Sequence, residues 1–135
     1  MPEKKVDDFL YENDSYKIRG SFFSVYNALG GGIREKTIEN ALYKELKDLN
    51  FIIEKQKRLP IKYKNEEIGY YIPDLIINHK IIVEIKSKPF LTEQDKKQFW
   101  SYLKGTEYKL GFLVNFSNQK LEIRRLTNSQ SARIS

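Results

Sequence analysis

The stretch PDLIINHKIIVEIKSK, residues 73–88, constrains the fold more than any other part of the chain. Its two apolar runs flank a polar turn at residues 78–80, which is the pattern of a β-hairpin. Because strand side chains alternate between faces, five apolar residues share one core-facing side: Leu75, Ile77, Ile81, Val83 and Ile85. With this turn, Asp74 falls opposite Glu84, roughly 5 Å away across the ladder. A two-residue turn would shift the register and separate the two acids.

Charged residues interrupt the opposite side of the hairpin at Asp74, Glu84 and Lys86. Facing carboxylates repel each other unless a positive charge lies between them. Mg²⁺ prefers oxygen ligands, so both acids and the backbone carbonyl of Ile85 are candidate metal ligands. Bound Mg²⁺ would polarise a phosphate and help to form hydroxide, while Lys86 could orient that water or stabilise negative charge. The alternative is a solvated sheet face on which the acids pair with lysines.

A third candidate carboxylate, Glu35, opens a predicted helix over residues 34–49. The apolar stripe of this helix consists of Ile38, Leu42, Leu46 and Leu49. At roughly 100° per residue, Glu35 points near the middle of that stripe. A carboxylate facing inward needs a partner, a metal or a raised pKa. Glu35 is therefore a candidate third member of the metal site, the alternative being that it only complements the helix dipole.

Gln98 and Tyr102 lie four residues apart on a further predicted helix, so they share one of its faces. Together they could form hydrogen bonds to a phosphate or to the metal-binding carboxylates. The alternative is that Tyr102 packs in the core beside Phe99 and Leu103, with Gln98 at its rim.

The remaining patterns predict one domain over residues 1–135, with an ordered core at about 14–126 and a polar, frayed tail at 127–135. The predicted element order is α-α-β-β-β-α-β-β. Its elements are helices at about 14–29, 34–49 and 92–105 and strands within 51–63, 68–77, 81–88, 109–116 and 120–126. Thr92 is the expected N-cap of the third helix, with Asp95 three residues on. The glycines at 30–32 predict a turn between helices rather than a phosphate-binding loop.

Composition narrows the class of protein. Lysine and arginine number 24 against 18 acidic residues, a net charge of +6 that suits a polyanion such as nucleic acid but equally a solvated basic surface. The chain has no cysteine, which excludes disulfides and cysteine-bound zinc. Neither a secretory signal nor a membrane-length apolar run is evident, so a cytoplasmic protein is expected. The single histidine, His79, lies in the predicted turn and is excluded from catalysis.

Taken in chain order, these motifs resemble the PD-(D/E)XK nuclease superfamily. Pro73-Asp74 is followed, after nine residues, by Glu84-Ile85-Lys86, and Gln98 with Tyr102 matches the Q-x-x-x-Y helix of its exonuclease-like branch. The residues GIRE at 32–35 further resemble the small GxxExxY family within it, with Ile38 in place of the terminal tyrosine. The resemblance spans roughly residues 16–126.

The resemblance implies an α/β (α+β) fold with a restriction-endonuclease-like central mixed sheet flanked by helices. It also implies a divalent-metal phosphodiesterase site, but not a particular substrate. The leading hypothesis is a nuclease that uses Mg²⁺ or Mn²⁺ and acts on DNA. By the same resemblance, Asp74 and Glu84 are metal ligands, Lys86 is catalytic and Glu35 assists the metal. Gln98 and Tyr102 would support the substrate or the site. Two alternatives stay open, namely a non-catalytic nucleic-acid-binding or interaction module, and a toxin-like or partner-activated nuclease that is silent alone. A homo-oligomer and an activating protein are the candidate protein partners.

Overall fold

The structure, a computed structural model, describes residues 11–128. Two residues of the predicted frayed tail are ordered instead, because Thr127 ends a strand and Asn128 is buried. The rest of the predicted tail, from Ser129 onward, lies outside the described residues. The described elements follow in this order: α1 (Glu12–Leu29), α2 (Glu35–Asp48), β1 (Ile53–Lys55), β2 (Leu59–Tyr63), β3 (Glu66–Tyr71), β4 (Leu75–Ile77), β5 (Ile81–Lys86), α3 (Glu93–Lys104), β6 (Leu110–Phe116) and β7 (Leu121–Thr127).

The predicted order of helices and strands is confirmed, with each of the two long extended segments divided into two strands. The first divides after β1, where Gln56 adopts a positive φ of 53°. The second divides between β3 and β4 at Pro73, which has no N–H to donate to a ladder. This second break leaves Asp74 just ahead of β4 and free of the strand ladder.

A five-stranded mixed sheet with the order β1-β4-β5-β6-β7 forms the centre of the fold. Strands β5 and β6 run parallel, and the other neighbouring pairs are antiparallel. Strands β2 and β3 form a separate two-stranded hairpin. This is the predicted mixed sheet with flanking helices. Within residues 11–128, no helix is long and apolar enough to cross a membrane.

Both faces of the sheet are covered, by different helices. The five predicted core residues of the hairpin pack with apolar residues of α1 and α2, such as Phe22 and Leu42. On the other face, Ile76 and Ile82 pack with Phe99 and Leu103 of α3. The acids of the hairpin therefore share their face with a second core, and this face is not the solvated surface considered as the alternative.

The hairpin has the predicted register, because Ile77 pairs with Ile81 and Leu75 pairs with Val83. Its turn is closed by a hydrogen bond of 3.1 Å from the Lys80 N–H to the Ile77 carbonyl. Asn78 and His79 supply the positive φ angles that such a tight hairpin turn requires.

The predicted cap of α3 is also confirmed. The Asp95 N–H donates to the Thr92 hydroxyl at 3.1 Å, and the Thr92 N–H donates to the Asp95 carboxylate at 2.9 Å. This reciprocal pair fixes the start of the helix that carries Gln98 and Tyr102.

Candidate active site

Asp74 and Glu84 meet where β4 begins, beside the last residues of β5. The Ile85 N–H donates to the Asp74 carboxylate at 2.7 Å, and the Asp74 N–H donates to the Glu84 carboxylate at 3.3 Å. Because Pro73 interrupts the ladder, the Asp74 side chain takes the place of the next backbone acceptor for β5. The two acids are thus held together by backbone hydrogen bonds as well as by the strand register.

Burial raises the pKa of the Glu84 carboxyl to about 8. The neighbouring Asp74 carboxylate adds to this rise by repulsion and by accepting a hydrogen bond from protonated Glu84, while Lys86 opposes it. Near neutral pH the pair therefore favours holding a proton between its oxygens. A divalent cation bound between the same oxygens would relieve the same repulsion.

The raised pKa of Glu84 predicts how stability depends on pH when metal is removed with EDTA. In the unfolded chain a glutamate titrates at about pH 4.3. Below that value the stabilising protonation of Glu84 is fully present, and it is lost as the pH rises through the folded-state pKa of about 8. We expect Glu84→Gln to remove this decline and to raise the melting temperature at pH 8 by about 4 °C.

Thermal melts between about pH 5 and pH 8.5 would measure this effect. Glu66→Gln is the matched control, because Glu66 is exposed on β3 and its replacement should leave the pH profile unchanged. If Glu84→Gln melted in parallel with the wild type at every pH, the proton-sharing pair would be ruled out.

Lys86 ends β5 on the same face as Glu84 and is half-buried. Its ammonium group forms no ion pair and no hydrogen bond within residues 11–128, although it acts electrostatically on Glu84 and Glu35. Several other lysines of the described chain are paired, as Lys88 is with Asp95 at 2.8 Å. Lys86 is therefore available to a group that approaches the two carboxylates.

Glu35 approaches the site from the start of α2, but it is exposed rather than inward-facing as the helical periodicity predicted. The reason is that α2 begins at Glu35, so this residue precedes the turns that pack on the sheet. Its carboxyl is nevertheless partly shielded from water, which raises its pKa. Lys86 and Lys88 oppose this rise and Asp74 adds to it, so the carboxyl lies within the electrostatic range of the site.

The loop between α1 and α2 holds Glu35 in this position. The Gly32 N–H donates to the Phe116 carbonyl at 2.9 Å, and the Ser87 hydroxyl donates to the Ile33 carbonyl. The predicted turn at the three glycines is thus fastened to the ends of β5 and β6.

Of the predicted helix pair, Tyr102 is linked to the site through a contact with Tyr71. The Tyr102 ring stacks on Tyr71, with centroids 4.4 Å apart and planes 3° from parallel. The Tyr71 hydroxyl is buried close to the Glu84 carboxylate, and its pKa is raised by burial and then by the charges of Glu84 and Asp74. The Gln98 side chain is exposed and forms no hydrogen bond within residues 11–128.

Glu39 of α2 and Gln56, which follows β1, support Asp74, and the sequence did not single out either residue. The Gln56 amide donates to Glu39 at 2.7 Å and to the Asp74 carboxylate at 3.4 Å, and the Gln56 N–H donates to the Asp74 carbonyl at 3.2 Å. Glu39 is only 3% exposed and also accepts from Lys36 at 2.7 Å. The one available sequence signal was the position of Glu39, next to the apolar stripe of α2.

A second pair that the sequence analysis missed lies beside Lys86. Asn115 is the partner of Lys86 across β5 and β6, and Glu122 is the partner of Asn115 across β6 and β7. Both are buried, and the Asn115 amide donates to Glu122 at 2.9 Å and to the Lys88 carbonyl at 2.9 Å. Glu122 also accepts from the Leu91 N–H at 3.0 Å. This network fixes the segment that joins β5 to α3, and its signal was an asparagine within an otherwise apolar strand.

The donor set suits a cation held by few protein ligands. Among residues 11–128, no three histidine, cysteine or acidic side chains lie close enough together to enclose a metal. Asp74 and Glu84 are therefore a two-carboxylate pair, with Glu35 outside it. The N–H and C=O of one strand residue point to the same side, so the Ile85 carbonyl faces the edge at which Asp74 binds the Ile85 N–H. One or two carboxylates completed by water is a set that Mg²⁺ commonly uses.

A protein-family model described as the PD-(D/E)XK nuclease superfamily matches residues 12–126. The match runs from the start of α1 into β7 and includes every predicted site residue. No curated protein and no solved structure matches the sequence.

Proposed function

The chain belongs to the PD-(D/E)XK nuclease superfamily, and we propose that it is a divalent-metal-dependent nuclease that hydrolyses phosphodiester bonds in DNA. One observation carries the proposal. Asp74 and Glu84 form a half-buried pair at the end of a sheet face. Beside them lies the ammonium group of Lys86, which has no partner within residues 11–128. Family membership alone does not establish activity, because activity depends on the site.

Asp74, Glu84 and the Ile85 carbonyl would hold one Mg²⁺ or Mn²⁺ ion, with water as the remaining ligands. Such an ion supplies Lewis-acid polarisation of a phosphate oxygen and lowers the pKa of bound water. The fit rests on the mutual repulsion of the two carboxylates, which burial makes worse and which a cation would neutralise. Glu35 is proposed to assist through water rather than as a direct ligand, because it is exposed and outside the pair.

Lys86 would donate hydrogen bonds to the attacking water or to the phosphate on which negative charge develops. Within residues 11–128 it has no competing carboxylate partner, which favours this role. Tyr102 would support the site by packing against Tyr71, whose hydroxyl lies near the carboxylates. Gln98, exposed on α3, would contact substrate rather than the metal ligands.

The proposal extends to the whole chain as one nuclease domain that acts in the cytoplasm. The finer likeness to the GxxExxY family rests on Gly32 and Glu35, and the loop between them is fastened to the sheet beside the site. The net charge of +6 suits a nucleic-acid substrate.

Metal-dependent cleavage is the direct test of this proposal. The purified chain is incubated with supercoiled plasmid, linear DNA and an RNA oligonucleotide, each with Mg²⁺, Mn²⁺ or EDTA. We expect breaks in DNA with either metal and none with EDTA, because the carboxylate pair cannot act on phosphate without a cation. Binding that survives EDTA with no cleavage under any condition would instead identify a non-catalytic nucleic-acid-binding module.

A further inference from the structure

A groove of about 600 Å³ lies between the β2–β3 hairpin and the end of α3. One wall is the segment 57–62, leading into and along β2, and the other is the segment 104–108. The walls meet where Gly105 lies against Ile61, since a Cβ at Gly105 would lie 3.2 Å from two side-chain atoms of Ile61. The groove therefore lies where the β2–β3 hairpin packs against the end of α3, and it does not include the carboxylate pair.

The residues that line the groove carry a surplus of positive charge. Its charged members are Lys57, Arg58, Lys62, Lys104 and Glu107. Lys57 and Arg58 have acidic partners outside the groove at 3.2 Å and 2.6 Å. Lys62 pairs across the hairpin with Glu67 and acts on it electrostatically, but it forms no ion pair within residues 11–128. Lys104 forms none there either, and its ammonium lies 4.4 Å from the centre of the Trp100 ring. Neither cation is held by a direct ion pair within residues 11–128, so both could bind an anionic ligand.

Each wall of the groove is connected to the stacked pair of Tyr71 and Tyr102 beside the candidate active site, although neither tyrosine lines the groove. Leu59 of β2 pairs with Tyr71 of β3, and Tyr71 lies next to Glu84. On the other wall, Tyr102 stacks on Tyr71 and precedes Lys104 by two residues. A polyanionic chain that lies in the groove would therefore lead toward the two carboxylates.

We propose that this groove holds the phosphate backbone of the nucleic acid on one side of the bond that is cut, with Lys62 and Lys104 as its phosphate contacts. The inference rests on the proposed function, and it assigns a binding place to the part of the substrate on one side of the cut bond. Contacts of this kind position a strand without reading its sequence. They also make affinity fall with salt, because each contact releases counterions.

The test compares two double variants that lose the same charge. Lys62→Ala with Lys104→Ala alters the groove, and Lys44→Ala with Lys47→Ala alters the exposed side of α2 on the opposite face of the sheet. Fluorescence polarisation measures the affinity for a single-stranded DNA of about 20 nucleotides in EDTA, at about 0.05–0.2 M salt. We expect the groove variant to bind about tenfold more weakly. Its plot of log binding constant against log salt concentration should be less steep by about 1.4. The affinity of the α2 variant should change by less than about twofold.

A third variant, Lys62→Arg with Lys104→Arg, keeps both charges and is expected to bind like the wild type. Equal losses in the groove and α2 variants, or no binding by the wild type, would overturn the inference. The nuclease proposal is tested separately, by the metal-dependent cleavage assay. Cleavage without groove-dependent binding rejects the groove alone, whereas groove-dependent binding without cleavage rejects the nuclease alone.

Discussion

Replacing Lys86 with alanine is expected to lower the rate of metal-dependent cleavage by roughly 10²–10³-fold, the usual cost of removing one donor from a transition-state site. The reason is that the other nearby ammonium in the described part of the chain, that of Lys88, is already paired with Asp95. The fold should persist, because Lys86 forms no ion pair or hydrogen bond within residues 11–128. Plasmid cleavage under single-turnover conditions gives the rate.

Substitutions of the two carboxylates should differ from Lys86→Ala in their effect on metal binding. Asp74→Asn and Glu84→Gln are expected to abolish cleavage and also the thermal stabilisation by Mn²⁺, which amounts to about 2.7 kcal/mol at a hundredfold excess over Kd. Lys86→Ala should lose cleavage yet keep that stabilisation. Lys80→Ala is the matched control, because Lys80 precedes β5 at its opposite end and is paired with Asp14. Cleavage at the wild-type rate by Lys86→Ala would show that the assigned chemistry is wrong.

The part of the site that depends on local rules could be predicted from the sequence. Alternation of apolar residues and the turn at Asn78 and His79 fixed the register that brings Asp74 to Glu84. The start of α3 followed from Thr92 and Asp95, whose side chains bond to the backbone three residues away. These features involve neighbours along the chain or one strand pairing, and patterns of residue type encode both.

The support around Asp74 could not be predicted, because it depends on contacts between distant segments. The Gln56 side chain contacts Asp74, 18 residues later in the chain, and Glu39, 17 residues earlier. Both contacts require β1 to stop just before Gln56. That stop depends on a positive φ at Gln56, a residue type without a strong preference for it. Asn115 was equally hidden, since its amide bonds to Lys88 and Glu122 arise only once β5, β6 and β7 are assembled.

Glu35 shows why helical periodicity alone misplaces a residue at the end of an element. Its angle on the helix matches the stripe of Ile38 and Leu42, but the sheet below that stripe no longer covers the first residue of α2. The role of Glu35 therefore depends on the loop that precedes α2, and especially on how closely Gly31 approaches the end of β6.

Gly31→Ala is expected to destabilise the fold by about 3 kcal/mol, the upper end of the usual cost of overpacking. A Cβ at this position would lie 1.9 Å from the Ser117 carbonyl oxygen and 2.8 Å from that of Phe116. Both obstacles are backbone atoms, so the loop has to move away from the sheet. That movement would also weaken the bond from Ser87 to the Ile33 carbonyl and displace Glu35 from the site.

Gly20→Ala is the matched control for this glycine, because Gly20 lies within α1 and a Cβ there would meet nothing within 4 Å. The free energy of unfolding of the control should rise by about 0.5–1 kcal/mol, since alanine has a higher helix propensity than glycine. Urea unfolding measures both variants, and cleavage by Gly31→Ala below its melting temperature reports on Glu35 separately. If the two alanine variants unfolded at the same urea concentration, the loop would not be held against β6 and the placement of Glu35 beside Asp74 would lose its support.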